Sequence, residues 1–142
     1  MKKILVLNGP NLNMLGKREP EIYGDQTHDD IVALCQDTAQ KHGHKIEVKQ
    51  SNHEGVLIDW IQDAMDEYDG LIINAAAYTH TSVAIHDALK LLDYPIVEVH
   101  LSAIEKREEF RHFSYITPVA AKIITGQGAQ GYVQAIEFLA KS

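Results

Sequence analysis

Cysteine occurs once in this chain, at position 35, so no disulfide can form within it. Its neighbours Ala33 and Leu34 are apolar, which makes Cys35 a buried thiol rather than a nucleophile. Long hydrophobic runs are also missing. The N-terminal run Ile4 to Leu7, behind Lys2 and Lys3, is too short for the core of a signal peptide, and no stretch approaches the ~20 apolar residues of a membrane span. The expected location is the cytoplasm. Positive charge is scarce: 13 Lys and Arg stand against 20 Asp and Glu, giving a net charge of −7 and a pI near 5.5. That balance excludes a general nucleic-acid or anionic-membrane surface, so an anionic ligand has to be met by local arginines.

What is present is enough apolar material for one core, 45% hydrophobic residues in a chain of 142, read as a single domain over 1–142. Ile4–Leu7, Ile46–Val48, Leu71–Ile73, Ile96–Val99 and Lys122–Ile124 are short β-branched runs that read as strands. Helical spacing separates them. Thr27 and Asp30 form a capping-box pattern ahead of the stripe Ile31, Leu34, Cys35 and Thr38, which Gly43 ends. Val56, Leu57, Trp60, Ile61, Ala64, Met65 and Tyr68 recur at helical spacing before Gly70. Thr81 or Ser82 is placed to cap a third helix running through Leu92, and Ala129 to Ala140 reads as the last. Strands alternating with helices imply parallel pairing, hence a flavodoxin-like three-layer α/β/α sandwich with a five-stranded parallel sheet in the order 2-1-3-4-5.

Ligands of such sheets bind beyond the carboxyl ends of the strands. Three polar segments meet that rule: Asn8 and the long connection to Gly24 after the first strand, Asn74 to His80 after the third, and His100-Leu101-Ser102 after the fourth. The connection is longer than the usual ~4–6 residues and carries Asn, Arg and Tyr, which marks it as functional. Other motifs fall away. Gly126-x-Gly-x-x-Gly131 has the dinucleotide pattern, but it opens the last helix, so no later strand can supply the acidic partner expected about 20 residues on. A tight strand-to-helix turn accounts for it better. The first loop lacks the hydroxyl-rich run of a flavin site, and Asn8 and Asn74 stand where a phospho-receiver needs carboxylates. His42-Gly43-His44 and His53-Glu54 lack metal-site spacing and read as surface histidines. His100 differs, because period two places Glu98 on the same strand face.

Tyr23, Arg18, Arg107, Arg111, His80, His100 and several amides, with no serine elbow, thiol or metal cluster, point to acid–base work on a polar anionic molecule. Four blocks say more: Asn8-Gly-Pro-Asn-Leu-Asn-Met-Leu-Gly-x-Arg-Glu-Pro-x-Ile-Tyr-Gly24, Tyr78-Thr-His-Thr-Ser-Val-Ala-Ile-x-Asp-Ala-Leu89, Glu98-Val-His-Leu-Ser102 and Arg107-Glu-Glu-Phe-Arg111. Over nearly its whole length the chain resembles the type II 3-dehydroquinate dehydratases. The resemblance implies a cofactor-free, metal-free anti elimination of water from 3-dehydroquinate through an enolate, in the shikimate pathway or in quinate breakdown. By the match, Tyr23 is the base, acting as a tyrosinate. A phenol with a pKa near 10 is only about 0.1% ionised at neutral pH, so Arg18 and Arg107 are expected to lower it. Asn11 is expected to hold the enolate through an ordered water, and His100, oriented by Glu98, to protonate the leaving hydroxyl. Asn74 and the amides of Leu101 and Ser102 would bind the carboxylate and C1 hydroxyl, and His80 and Arg111 the ring hydroxyls. Asp87 matches a residue that reaches a neighbouring subunit's site, which implies a homododecamer built as a tetramer of trimers.

The chain departs from the family pattern after the third strand, where Ala75, Ala76 and Ala77 replace a stretch that usually holds Pro and Gly, and at Ala103, where Asn is common. A Gly needed at positive φ cannot become Ala without strain. These departures motivate a second reading, a non-catalytic binder of small polyol acids on the same fold.

Overall fold

β1 (Lys3–Asn8), β2 (Lys45–Gln50), β3 (Gly70–Asn74), β4 (Ile96–Val99) and β5 (Lys122–Ile124) form one parallel sheet in the order β2-β1-β3-β4-β5. This computed structural model describes residues 1–17, 19, 21 and 25–142, so the expectations for Arg18 and Tyr23 lie outside the described residues. Period-two alternation sends the strand side chains to two cores. Ile4, Val6, Ile72, Val97 and Val99 pack with α1 (His28–Lys41) and α4 (Gln130–Ala140) on one face. Leu5, Leu7, Leu71, Ile73 and Ile96 pack with α2 (Glu54–Asp63) and α3 (Val83–Leu89) on the other. Both faces of the central strands are therefore covered, which is why they read as continuous apolar runs. Fully burying each such Ile or Leu is worth roughly 1.5–3 kcal/mol.

Helix starts follow the local chemistry. Thr27 accepts from the Asp30 amide while the Asp30 carboxylate accepts from the Thr27 amide, a complete capping box. Ser82, not Thr81, caps α3 by accepting from the Ile85 amide at 2.9 Å. Helix ends depart from expectation. α2 stops at Asp63 although its apolar spacing continues to Tyr68, and the Ala64 carbonyl beyond it accepts from the Tyr94 hydroxyl at 2.7 Å. α3 stops at Leu89, leaving Leu91 half exposed in a turn. The glycine motif between β5 and α4 is a turn, with Gly126 and Gly128 at φ +73° and +57°, where L side chains are strained. Cys35 is buried on α1, and burial pushes its thiol pKa up to about 12. No helix among the described residues is long and apolar enough to cross a membrane.

The chain leaves β1 outward to β2 and then returns to place β3 on the other side of β1. That reversal opens a crevice at the carboxyl ends of β1 and β3. Asn8 and Asn74 are paired across it in register.

Candidate active site

Asn8 and Asn74 are both buried, so their amides need partners inside the protein. Tyr132, reaching up from α4, supplies them: its hydroxyl donates to Asn8 Oδ1 at 2.7 Å and accepts from Asn74 Nδ2 at 3.2 Å. Asn74 Oδ1 accepts from the Ala76 amide at 3.2 Å, an Asx turn that bends the chain off β3. Asn8 Nδ2 lies 3.0 Å from His28 Nε2, so the residues just before and just after the long first connection are bonded to each other. Gly9 makes the start of that connection possible. Its amide donates to Asn74 O, and a Cβ there would sit 2.5 Å from Ala75 O. Asn11 follows in the left-handed region, at φ 70°, which an Asn tolerates. Gln50 and Asn52, beyond β2, hold this stretch: Gln50 Nε2 donates to Gly9 O, and Asn52 Oδ1 accepts from the Asn11 amide at 3.0 Å.

His100 leaves β4 two positions after Glu98, and the two meet as expected, with Nε2 2.5 Å from Glu98 Oε2. Glu98 is only 1% exposed and does not stand on His100 alone. Ser114 Oγ donates to the same oxygen at 2.8 Å and Thr117 Oγ1 to Oε1 at 2.6 Å. Burial pushes the Glu98 carboxyl up, but the hydrogen bonds from His100, Thr117 and Ser114 outweigh it and hold the group below the usual carboxylate range. Glu98 is therefore an anion beneath the imidazole. His80, on the turn after β3, stacks on His100 with ring centroids 6.5 Å apart. Its Nδ1 donates to Phe113 O at 2.7 Å, leaving Nε2 as an acceptor. Burial lowers the His80 pKa, against the Phe113 bond, with the charges of His100 and Arg111 adding to the fall.

Asn11, Asn74, His80, His100, Leu101, Ser102, Arg107 and Arg111 line one depression together with Pro10, Ala76, Ala77 and Ile104. Among the described residues, no protein group accepts from the Leu101 or Ser102 backbone amides. Their carbonyls accept from Gly128 and Gly126, which ties this turn to the glycine loop. Arg107 bridges the two sides of the rim, donating to Ser102 Oγ at 3.4 Å and lying 3.8 Å from Glu19 of the long connection. Arg111 donates to Glu108 Oε1 at 2.9 Å. Asp87 is exposed on α3 and is not among the residues lining the depression of its own chain.

A family model described as "Dehydroquinase class II" matches residues 2–140. The chain belongs to the class II dehydroquinase family. It is 58% identical over 144 residues to the 3-dehydroquinate dehydratase of Variovorax paradoxus (strain S110), covering 98% of this chain and 99% of that one. Its fold superposes on the crystal structure of the type II dehydroquinase from Propionibacterium acnes with a TM-score of 0.97, at 45% identity and with 100% and 98% of the two chains covered. The corresponding structure from Butyrivibrio crossotus DSM 2876 gives 0.95 at 47% identity, with 97% of each chain covered.

Sequence reasoning missed the groups that stand behind the expected ones. Gln50 ends β2 on the same rim as Asn8, so the rule that singled out Asn8 could have found it. Tyr132 lies within the span that reads as the last helix and has no sequence signal of its own, and Ser114 and Thr117 lie in an irregular stretch with no periodic signal. Ala76 sits at φ 52°, the region that favours Gly. All three described non-glycine residues at positive φ border the site: Asn11 and Ala76 line it, and Glu19 pairs with Arg107. Backbone strain of this kind collects at functional sites.

Proposed function

We propose that this chain works as a type II 3-dehydroquinate dehydratase, removing water from 3-dehydroquinate to give 3-dehydroshikimate, a step of the shikimate pathway. Family membership supplies the activity, and the Glu98–His100 pair at the edge of the depression is the observation that carries the chemistry. In the reading we favour, a tyrosinate at Tyr23 takes the C2 proton, made acidic by the adjacent ketone. Arg18 and Arg107 favour the ionised phenol. Charge then builds on the ketone oxygen, where Asn11, through a water, supplies a fixed dipole. In the second step the C1–O bond breaks and His100 gives the departing hydroxyl a proton, releasing water. Because Glu98 engages Nε2, Nδ1 is the ring nitrogen available to the substrate. One proton returns from Tyr23 to His100 through solvent to reset the site. Asn74 with the Leu101 and Ser102 amides binds the carboxylate and C1 hydroxyl, and His80 and Arg111 bind the ring hydroxyls.

A trimer-based dodecamer, with Asp87 reaching a neighbour's site, is part of the same reading. Asp87 and Val83 are exposed on α3, and Phe110 and Phe113 are 66% and 59% exposed beside the site. A solution mass equal to one chain would remove that part.

Incubating the protein with 3-dehydroquinate and following the ultraviolet absorbance of the enone product tests the activity. Turnover that survives borohydride is expected, since no imine forms. Tyr23→Phe is expected to abolish turnover while retaining binding. Calorimetric binding by the unaltered protein without any product would instead leave a non-catalytic binder.

A further inference from the structure

We propose that Tyr132 is a positioning residue for substrate binding: its buried hydroxyl, held by Asn8, turns the Asn74 side chain so that a free amide N–H faces the ligand. The proposal rests on the reading of Asn74 as a substrate contact.

A phenolic hydroxyl has one hydrogen to give. Here it goes to Asn8 Oδ1 at 2.7 Å, so Tyr132 offers Asn74 only a lone pair. Asn74 meets that lone pair with Nδ2 at 3.2 Å. At the other end of the same amide, the Ala76 N–H requires an oxygen and finds Oδ1 at 3.2 Å. The two constraints agree. A flipped Asn74 would set Oδ1 against a lone pair and Nδ2 against an N–H, leaving two buried pairs unmet. The second Nδ2 hydrogen is thereby left for the depression that Asn74 lines, where it suits a carboxylate or hydroxyl oxygen.

The direction of bonding is set further back. Since Asn8 Oδ1 is taken by Tyr132, Asn8 turns Nδ2 to His28, whose Nε2 accepts at 3.0 Å. His28 must then be neutral with its proton on Nδ1. Burial lowers the pKa of His28, with Asp29 opposing, and burial raises that of Tyr132, so both groups hold the forms the chain of bonds needs. Asn8 and His28 flank the connection that carries Tyr23. The bonds thus run from the base of that connection, through the core, to the substrate contact.

A double-mutant cycle on KM tests the positioning role. Tyr132→Phe keeps the ring and removes only the hydroxyl. It is expected to raise KM for 3-dehydroquinate about tenfold, the scale of one lost hydrogen bond, with a smaller change in kcat. Asn74→Ala is expected to raise KM at least as much, and the double variant to be no worse than Asn74→Ala. A lower melting temperature with unchanged KM in Tyr132→Phe, or effects on KM that multiply in the double variant, would overturn the proposal. Unchanged KM in Asn74→Ala would instead reject the substrate contact beneath it. Should Tyr132→Phe fail to fold, the side-chain amide of Asn74 in the unaltered, isotope-labelled enzyme decides by NMR. One amide hydrogen is expected to shift when 3-dehydroshikimate is added while the one on Tyr132 keeps its position; equal movement of both, or of neither, would contradict the proposal.

Discussion

Ala76 holds a conformation that its side chain opposes. At φ 52° the Cβ of an L residue crowds the following carbonyl, at a cost of about 1–2 kcal/mol. The Asx turn from Asn74 Oδ1 to the Ala76 amide and the packing of Ala76 against the core of the α1 and α4 face hold it there. Ala76→Gly is accordingly expected to stabilise the protein, once the ~0.5–1 kcal/mol of extra chain entropy of a glycine is subtracted. The expected net gain is a few tenths to about 1 kcal/mol, read as a higher urea midpoint at unchanged slope. A loss of the size seen for Ala→Gly in ordinary backbone would mean that the turn is not strained. Asn11, at φ 70°, is not in the same position, because its amide side chain tolerates the left-handed region.

At the scale of elements, the irregular stretch between β4 and β5 acts as the support for Glu98. Ser114 Oγ accepts from the Ile116 and Thr117 amides while donating to Glu98, so the turn and the carboxylate organise each other. Thr117→Val removes one donor from a buried anion, at about 1.5–3 kcal/mol. Losing a hydrogen bond to the charged form raises the carboxyl pKa. The acidic limb of the kcat profile is expected to move toward neutral pH with a several-fold lower kcat at its plateau; an unmoved limb would show that Thr117 does not support the dyad. Such a role was not legible beforehand. The strands were, because β-branched runs such as Leu71–Ile73 and a capping box such as Thr27–Asp30 are local signals, and the strand order follows from parallel crossovers. Asn8, Asn74 and His100 were legible because strand ends of such a sheet carry its chemistry. Glu98 followed from the period of two. Helix ends were not, since the Tyr94 hydroxyl that meets the carbonyl beyond α2 comes from 30 residues away in the chain. Nor was Tyr132, whose ring packs as an apolar residue while only its hydroxyl reaches the site.

Across the whole molecule, the buried and half-buried titratable groups set a pH window for stability. His28 and His80 have folded pKa values below the ordinary 6.5, so the unfolded chain takes up protons first as the pH falls. Stability from keeping them neutral is fully present above about 6.5 and is lost as the pH falls through their folded values. Glu98 sits below the ordinary 4.5 in the fold, so its contribution holds above that value and is lost in a second, more acid step. Cys35 acts on the other side. Its pKa rises from 9.0 to about 12 on burial, so its contribution is complete below pH 9 and declines as the pH climbs toward 12. Tyr132, raised by burial from 10.0, adds to the same alkaline loss. The expected curve of urea midpoint against pH has a plateau between about 6.5 and 9, a two-step fall on the acid side and a single fall on the alkaline side. Protein concentration is held fixed across the series, because any assembly adds a mass-action term. His28→Gln should shrink the first acid step and leave the second in place. A midpoint that stays flat from pH 6.5 down to 4.5 in the unaltered protein would mean that His28 and His80 are not held neutral, and with that the direction of the bonds from His28 to Asn74 would have to be redrawn.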